Sequence, residues 1–212
     1  MKSRIRRQYY NLFSLIYDHI IRLHSRDNEG YLRKYLAEKA EIKQGENVLD
    51  ICTGTGSVAI EFSRTVCKRG KIVGVDFSGG MLRKAKDKVR RLGLNNFYLI
   101  EANARELPFK DGLFGAITIS HAFYELKGEE QGKAISEMAR VAMGGGKFFI
   151  MEHEVPKNFF LKLLFYLRIY VMGSKDAKVF LKDDLSLFEE NFKKVTSEIT
   201  PTGRSKIIWG ER

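Results

Sequence analysis

Disulfide bonds do not organise this chain, because its 212 residues contain only two cysteines, Cys52 and Cys67. So few thiols exclude the small cross-linked secreted scaffolds, and no Cys/His spacing suits zinc, so no metal is expected. No apolar run reaches the ~20 residues that a membrane-spanning helix needs. The opening residues lack the secretory pattern, and with scarce cysteine this gives the expectation of a reducing cytoplasm. Internal repeats and low-complexity tracts are absent, so one domain with its own core is expected at this length. The aromatic-glycine signature of RNA-binding sheets is missing too, so nucleic acid is not the expected partner.

What the chain has in excess is positive charge, a formal +11 at pH 7. That charge sits at the ends. Residues 1–40 hold nine Lys/Arg against four Asp/Glu, and residues 156–212 hold eleven against seven. Residues 41–155 are almost balanced, at seventeen against fifteen. A basic periphery around a neutral core suits an anionic partner such as lipid headgroups, nucleic acid or a small acid, and equally a lysine-rich soluble surface.

The most informative stretch is Val48-Leu49-Asp50-Ile51-Cys52-Thr53-Gly54-Thr55-Gly56. It reads as a short apolar strand bearing a carboxylate, a glycine turn, and a helix beginning near Ser57. Glycines let the backbone pass close to a ligand, and a helix start offers unpaired N–H groups, so the segment is a nucleotide-cofactor site. The run from Gly54 to Ala59 also fits the G-x-G-x-x-A dinucleotide fingerprint, with Asp76 at about the spacing of a ribose contact. Asp50 separates the two cofactors. Four residues before the first glycine it repels a pyrophosphate, whereas it attracts the ammonium and sulfonium of S-adenosylmethionine. A helical prelude of some forty residues is likewise unusual ahead of a dinucleotide fingerprint.

Beyond the turn the pattern alternates strand and helix, as a parallel sheet with crossovers requires. Lys71 to Asp76 is a second strand ending in a carboxylate, and Ser78 caps the helix that follows, whose buried face carries Met81, Leu82, Ala85 and Val89. Phe97 to Ala102 is the third strand and Phe114 to Ser120 the fourth, apolar almost throughout. Glu129 to Val141 reads as a helix stopped by Gly144-Gly145-Gly146, and Lys147 to Glu152 as the fifth strand. Lys182 to Asn191 looks helical. The runs Lys193 to Thr200 and Arg204 to Gly210 are joined by a loop too short for a crossover, so they must be antiparallel.

Residues 47–156 resemble the class I S-adenosylmethionine-dependent methyltransferases, and most nearly the ubiquinone/menaquinone biosynthesis C-methyltransferase family. The carrying segments are Val48 to Gly56, Gly74 to Ser78 with Met81-Leu82, Asn103 to Phe109 with Phe114, and Glu137 to Val141 before Gly145-Gly146. Upstream, Tyr10 and Tyr17-Asp18 resemble the aromatic and Tyr-Asp pair that precede the core in these enzymes. The resemblance implies a single-domain α/β, Rossmann-like doubly wound sheet of seven strands in the order 3-2-1-4-5-7-6, the last antiparallel. It further implies an N-terminal helical cap (1–44), a cofactor-binding core (45–155), an apolar lid insertion (156–181), and a final helix and hairpin (182–212).

On that resemblance the cofactor is S-adenosylmethionine, leaving as S-adenosylhomocysteine. Tyr17, Asp50, Thr53, Gly54 and Gly56 would surround its methionyl end, with Asp50 holding the ammonium directly or through water. Asp76 would grip the ribose hydroxyls, Phe77 and Met81 pack on the adenine, Asn103 and Ala104 read its amino edge, and Ser120 lie beside the sulfonium. Cys52, Gly115 and Met143 depart from the small residue, aspartate and proline usual in relatives, and none of them removes a cofactor contact.

Methylating a ring carbon calls for a base near an acceptor hydroxyl. His121 and His153 follow the fourth and fifth strands, where this architecture places its acceptor, and Tyr124 could orient a ring. Both histidines stand as candidates, and both are also ordinary pocket-wall or turn residues. The segment 156–172 is apolar with scattered cations. It suits a lid, a homodimer face, or a peripheral membrane contact admitting a lipophilic acceptor such as a menaquinol or ubiquinol precursor. The other activities left open are phospholipid-headgroup N-methylation, RNA methylation and NAD-dependent oxidoreduction.

Overall fold

Seven strands form one sheet in the order β3-β2-β1-β4-β5-β7-β6. In this computed structural model residues 7–11, 14, 30–65, 69–126, 128–154, 159, 163, 185–203 and 205–212 are described. The strands are β1 (Val48–Ile51), β2 (Ile72–Asp76), β3 (Phe97–Glu101), β4 (Phe114–Ser120), β5 (Ala142–His153), β6 (Lys193–Ile199) and β7 (Ser205–Glu211). The helices are α1 (Tyr31–Lys39), α2 (Ser57–Thr65), α3 (Gly79–Arg91), α4 (Glu129–Val141) and α5 (Ser186–Glu189), with a 3₁₀ turn η1 (Phe123–Glu125). β1 to β5 are parallel, and β7 runs antiparallel to both β5 and β6. The strand order and the reversed β7 agree with the order expected above.

Because side chains alternate along a strand, the central strands feed two cores. Leu49, Ile51, Ile117, Ile119, Phe148 and Ile150 face α4, η1 and α5, where Ile135, Met138, Phe123 and Phe188 close over them. Val48, Ile72, Phe149, Met151 and Ile207 face α1, α2 and α3, packed by Leu36, Phe62 and Val89. Every residue of β1 and β2 is buried, the mark of strands covered on both faces. The carboxyl ends of β1, β2 and β4 are therefore rigid platforms for whatever they carry.

One local expectation is corrected. Gly144-Gly145-Gly146 does not stop a helix ahead of a later strand. β5 begins at Ala142, directly after α4, and the glycines form a bulge within it. Phe114 pairs with Ala142 while Ala116 already pairs with Lys147, so the extra residues loop out of the ladder. Gly145 has φ +74°, and a Cβ on Gly146 would meet the Met143 and Phe114 carbonyl oxygens at 2.9 Å. Gly115 has a comparable reason: a Cβ there would meet the Glu46 carboxyl carbon at 2.9 Å, which explains why a larger residue is absent.

A charged clasp secures the loop ahead of β4. Arg140 grips both Glu137 oxygens at 2.7 and 2.8 Å, and donates to the Leu107 and Phe109 carbonyls at 3.0 and 2.7 Å and to Asp111 at 2.8 Å. Glu137 in turn accepts from the Leu107 N–H at 2.6 Å, and the guanidinium holds its carboxyl below the usual range. Arg140→Ala takes the guanidinium donor from the Phe109 carbonyl, while the Leu107 carbonyl keeps the Phe109 N–H, and it strands the part-buried Glu137 carboxylate, so urea unfolding should show a loss of about 2–4 kcal/mol. Lysine should recover less than half, since one ammonium cannot reproduce the fork.

The expected lid, 156–181, lies outside the described residues except for Phe159 and Leu163, both exposed. Among the described residues no helix is long and apolar enough to cross a membrane, and no group of His, Cys, Asp and Glu could hold a metal ion.

Candidate active site

The glycine turn after β1 is shaped by left-handed backbone at Cys52, Gly54 and Gly56, with φ +56°, +56° and +77°. A Cβ on Gly54 would meet nothing within 4 Å, so this side of the turn is open space. Gly56 serves packing: a Cβ there would approach the Ala85 Cβ of α3 to 3.1 Å. The turn closes through Gly56 N–H on the Thr53 carbonyl at 2.9 Å and runs straight into α2.

Asp76 ends β2 beside that opening. One carboxylate oxygen accepts from the Gly54 N–H at 2.9 Å and the other from the Ser78 N–H at 2.8 Å. Each oxygen keeps a second acceptor direction, so the group can still take two hydroxyl donors. Burial pushes its pKa up to about 6, partly offset by those N–H groups.

Asp50 lies deeper than its place in the motif suggests. It is 2% exposed and accepts from the hydroxyls of Thr53 at 2.6 Å and Thr118 at 2.8 Å. Burial pushes its pKa up to about 6 as well, with the negative charge of Asp76 adding to the rise. The carboxyl thus sits beneath the glycine turn and fixes Thr53, which its own N–H ties to the Val75 carbonyl of β2.

The other expected cofactor residues gather around Asp76. Phe77 and Met81 follow it, Phe77 half-buried and Met81 2% exposed in the first turn of α3, where its N–H is capped by Ser78 Oγ. The Ala102 N–H donates to the Asp76 carbonyl, which brings the chain at Asn103 and buried Ala104 alongside. The Asn103 side-chain oxygen accepts from Arg105, whose guanidinium pairs with Glu130. Tyr17 lies outside the described residues.

The ends of β4 and β5 carry the second half of the site. Ser120 Oγ is 3.0 Å from His121 Nδ1, and His121 Nε2 is 3.1 Å from Ser205 Oγ on β7. His121 has φ +52°, an uncommon conformation for a residue with a Cβ, and its N–H is tied to the Met151 carbonyl at 2.7 Å. The His153 ring lies 4.4 Å from that of His121, and Tyr124 lies 6.3 Å from His153. The three acceptor-side candidates therefore form one cluster.

Three residues of the site, Glu152, Asn11 and Glu125, are not among the expected ones, and Tyr10 is expected only as an aromatic preceding the core. Glu152 is 2% exposed at the end of β5, with one carboxyl oxygen accepting the Phe123 N–H at 2.7 Å and the other without a hydrogen-bond partner among the described residues. Burial pushes its pKa up to about 8. Its signal was legible as a third carboxylate ending an apolar strand, like Asp50 and Asp76. Tyr10, Asn11 and Glu125 also reach the site, and no local pattern marks the contacts they make.

The sequence model of the ubiE/COQ5 methyltransferase family matches residues 2–189. The chain is 34% identical over 155 residues to the ubiquinone/menaquinone biosynthesis C-methyltransferase UbiE of Blochmanniella floridana, covering 73% of this chain and 60% of that one. It is 33% identical to the demethylmenaquinone methyltransferase of Oceanobacillus iheyensis, covering 73% of this chain and 64% of the relative. The match thus spans less than two thirds of the length of either relative. Among solved structures, a SAM-dependent methyltransferase from Aquifex aeolicus superposes with a TM-score of 0.66 at 19% identity, covering 84% of this chain and 88% of the other.

Proposed function

This chain belongs to the ubiE/COQ5 methyltransferase family, and on that footing we propose that it moves a methyl group from S-adenosylmethionine to a ring carbon of a lipophilic quinol precursor. The observation that carries the reading is Asp76 at the mouth of the open Gly54 turn, both oxygens anchored by backbone N–H groups and both able to take a further donor. Neighbouring hydroxyls of a ribose are the donors that such a pair suits. The buried Asp50 adds negative charge under the turn, favouring an ammonium over a diphosphate.

When bound, the sulfonium supplies an electrophilic methyl group for an in-line displacement. The protein's share is chiefly positioning. The expected roles are Ser120 beside the sulfonium, Tyr124 and His153 along the acceptor, and His121 held between the hydroxyls of Ser120 and Ser205 as the support against which His153 packs. A histidine here would take the proton of an acceptor hydroxyl, placing negative charge on the ring and making the neighbouring carbon nucleophilic.

Thermal melts provide the first test. S-adenosylhomocysteine at 100 times its dissociation constant should stabilise the protein by about 2.7 kcal/mol, and NADH should not. Turnover of a demethylmenaquinol analogue, read by mass and by carbon-attached methyl resonances, tests the acceptor. Methylation of an ethanolamine headgroup instead would overturn the quinol assignment while leaving the cofactor in place.

A further inference from the structure

Residues 7–11 lie across the site and touch it from both sides. Arg7 pairs with Glu101 at the end of β3. Asn11 Oδ1 accepts from the Ser78 hydroxyl at 2.8 Å and from the Gly80 N–H at 2.9 Å. A Cβ on Gly80 would come within 2.8 Å of Asn11 Cα and 2.9 Å of its carbonyl oxygen, so the first turn of α3 accepts this backbone only because it carries glycine there. The Tyr10 ring meets Phe77 edge-on at 5.6 Å, while its hydroxyl donates to Glu125 on η1. Tyr10 is thus joined to the residue after Asp76 and also to the turn that carries Tyr124.

These contacts fall at the carboxyl ends of β2, β3 and β4, where the candidate ligand and acceptor meet. None of them belongs to either apolar core. Polar contacts of this kind hold a segment in place at an energy small enough to be broken and remade during turnover.

Building on the S-adenosylmethionine reading, we propose that Asn11 and Tyr10 are positioning residues for methyl transfer. Asn11 fastens the segment over the adenosine end of the cleft, and Tyr10 carries that closure to Glu125, setting the wall against which the acceptor lies. Donor and acceptor sites are then coupled through one phenol. The cofactor product leaves only when the Asn11 pair opens, and the acceptor binds best while it is shut.

The two residues give separable signatures. Asn11→Ala removes both acceptor contacts and should speed S-adenosylhomocysteine dissociation about tenfold in stopped-flow displacement, the scale of two lost hydrogen bonds. Asn11→Asp keeps an acceptor at both positions and should stay within about threefold of wild type. Tyr10→Phe retains the ring on Phe77 and loses the donor to Glu125. It should leave product dissociation within about twofold while raising the acceptor KM about fivefold. Pairing Tyr10→Phe with Glu125→Gln should add little to either single change. Wild-type protein that fails to bind S-adenosylhomocysteine overturns the cofactor reading and this coupling together. Wild-type binding with unaltered release from Asn11→Ala, or an unaltered acceptor KM in Tyr10→Phe, overturns the coupling alone.

Discussion

Asp76→Ala is expected to eliminate the thermal shift produced by S-adenosylhomocysteine. Each oxygen of this carboxylate is placed by a backbone N–H, and a charged acceptor contributes about 1.5–3 kcal/mol per hydrogen bond. Losing two such bonds to a ribose should weaken binding at least about 100-fold. The unliganded protein should soften only modestly. The Gly54 and Ser78 N–H groups lose their acceptor, but a buried charge disappears with it. Isothermal titration of the variant showing wild-type affinity would remove Asp76 from the ribose and leave it a role in shaping the turn.

The pKa of Asp76 adds a pH signature to the same measurement. Free Asp76 and Asp50 are both raised to about 6, so near that pH a fraction of each carries a proton. A ligand donating hydroxyl hydrogens and a positive charge favours the ionised forms, so binding between about pH 5.5 and 7 should release protons. Comparing binding enthalpies in buffers of different ionisation enthalpy reads this directly. The affinity should fall as the pH drops below 6.

Glu152→Gln is expected to make the protein more stable in alkali, by roughly 2–5 kcal/mol at pH 9, and to change little at pH 5. The sign follows from proton binding. The carboxyl lies near 4.5 when exposed and near 8 in the fold, so between those values the native state holds more protons than the unfolded chain. Stability therefore falls as the pH rises from about 4.5 to 8, and the full cost of a buried charge is present above that. Asp50 and Asp76 contribute in the same direction between about 4 and 6. Glutamine keeps an oxygen for the Phe123 N–H and never ionises, so its curve should part from that of wild type through this window. Parallel curves in urea titrations from pH 5 to 9 would show that Glu152 is already ionised in the fold and that its carboxyl is not raised.

Long-range order was readable from the sequence because it follows from a short list of local signals. Buried strands alternating with helices, and a last pair joined by too few residues to cross over, leave few topologies open. The glycine turn and the place of Asp76 at the end of β2 were readable for a similar reason, since both lie at the junction of a strand and a helix. Gly144 to Gly146 misled because a glycine run after a helix is the usual sign of its end. Only pairing with β4, hundreds of atoms away in the chain, reveals the bulge. Asp50 was located correctly along the chain but its depth was not, because Thr118 comes from a neighbouring strand. The contacts of Arg140 with Leu107, Phe109 and Asp111 and those of Asn11 with Ser78 and Gly80 are tertiary meetings of residues 29 to 69 positions apart, and composition carries no trace of such distances.

The reversal of β7 divides responsibility within the molecule. Running against its neighbour, it begins where β5 ends, so Ser205 arrives opposite His153 and within reach of His121. The hairpin bend there is stitched by Thr200, whose hydroxyl and N–H both reach the Ser205 carbonyl at 2.8 Å. Most residues expected to hold the donor follow the first three strands, joined by Ser120 from β4, whereas this late hairpin edges the side of His121 and His153. Substitutions between 200 and 205 are therefore expected to disturb the His121 and His153 side of the candidate site while leaving the Asp76 side as it is.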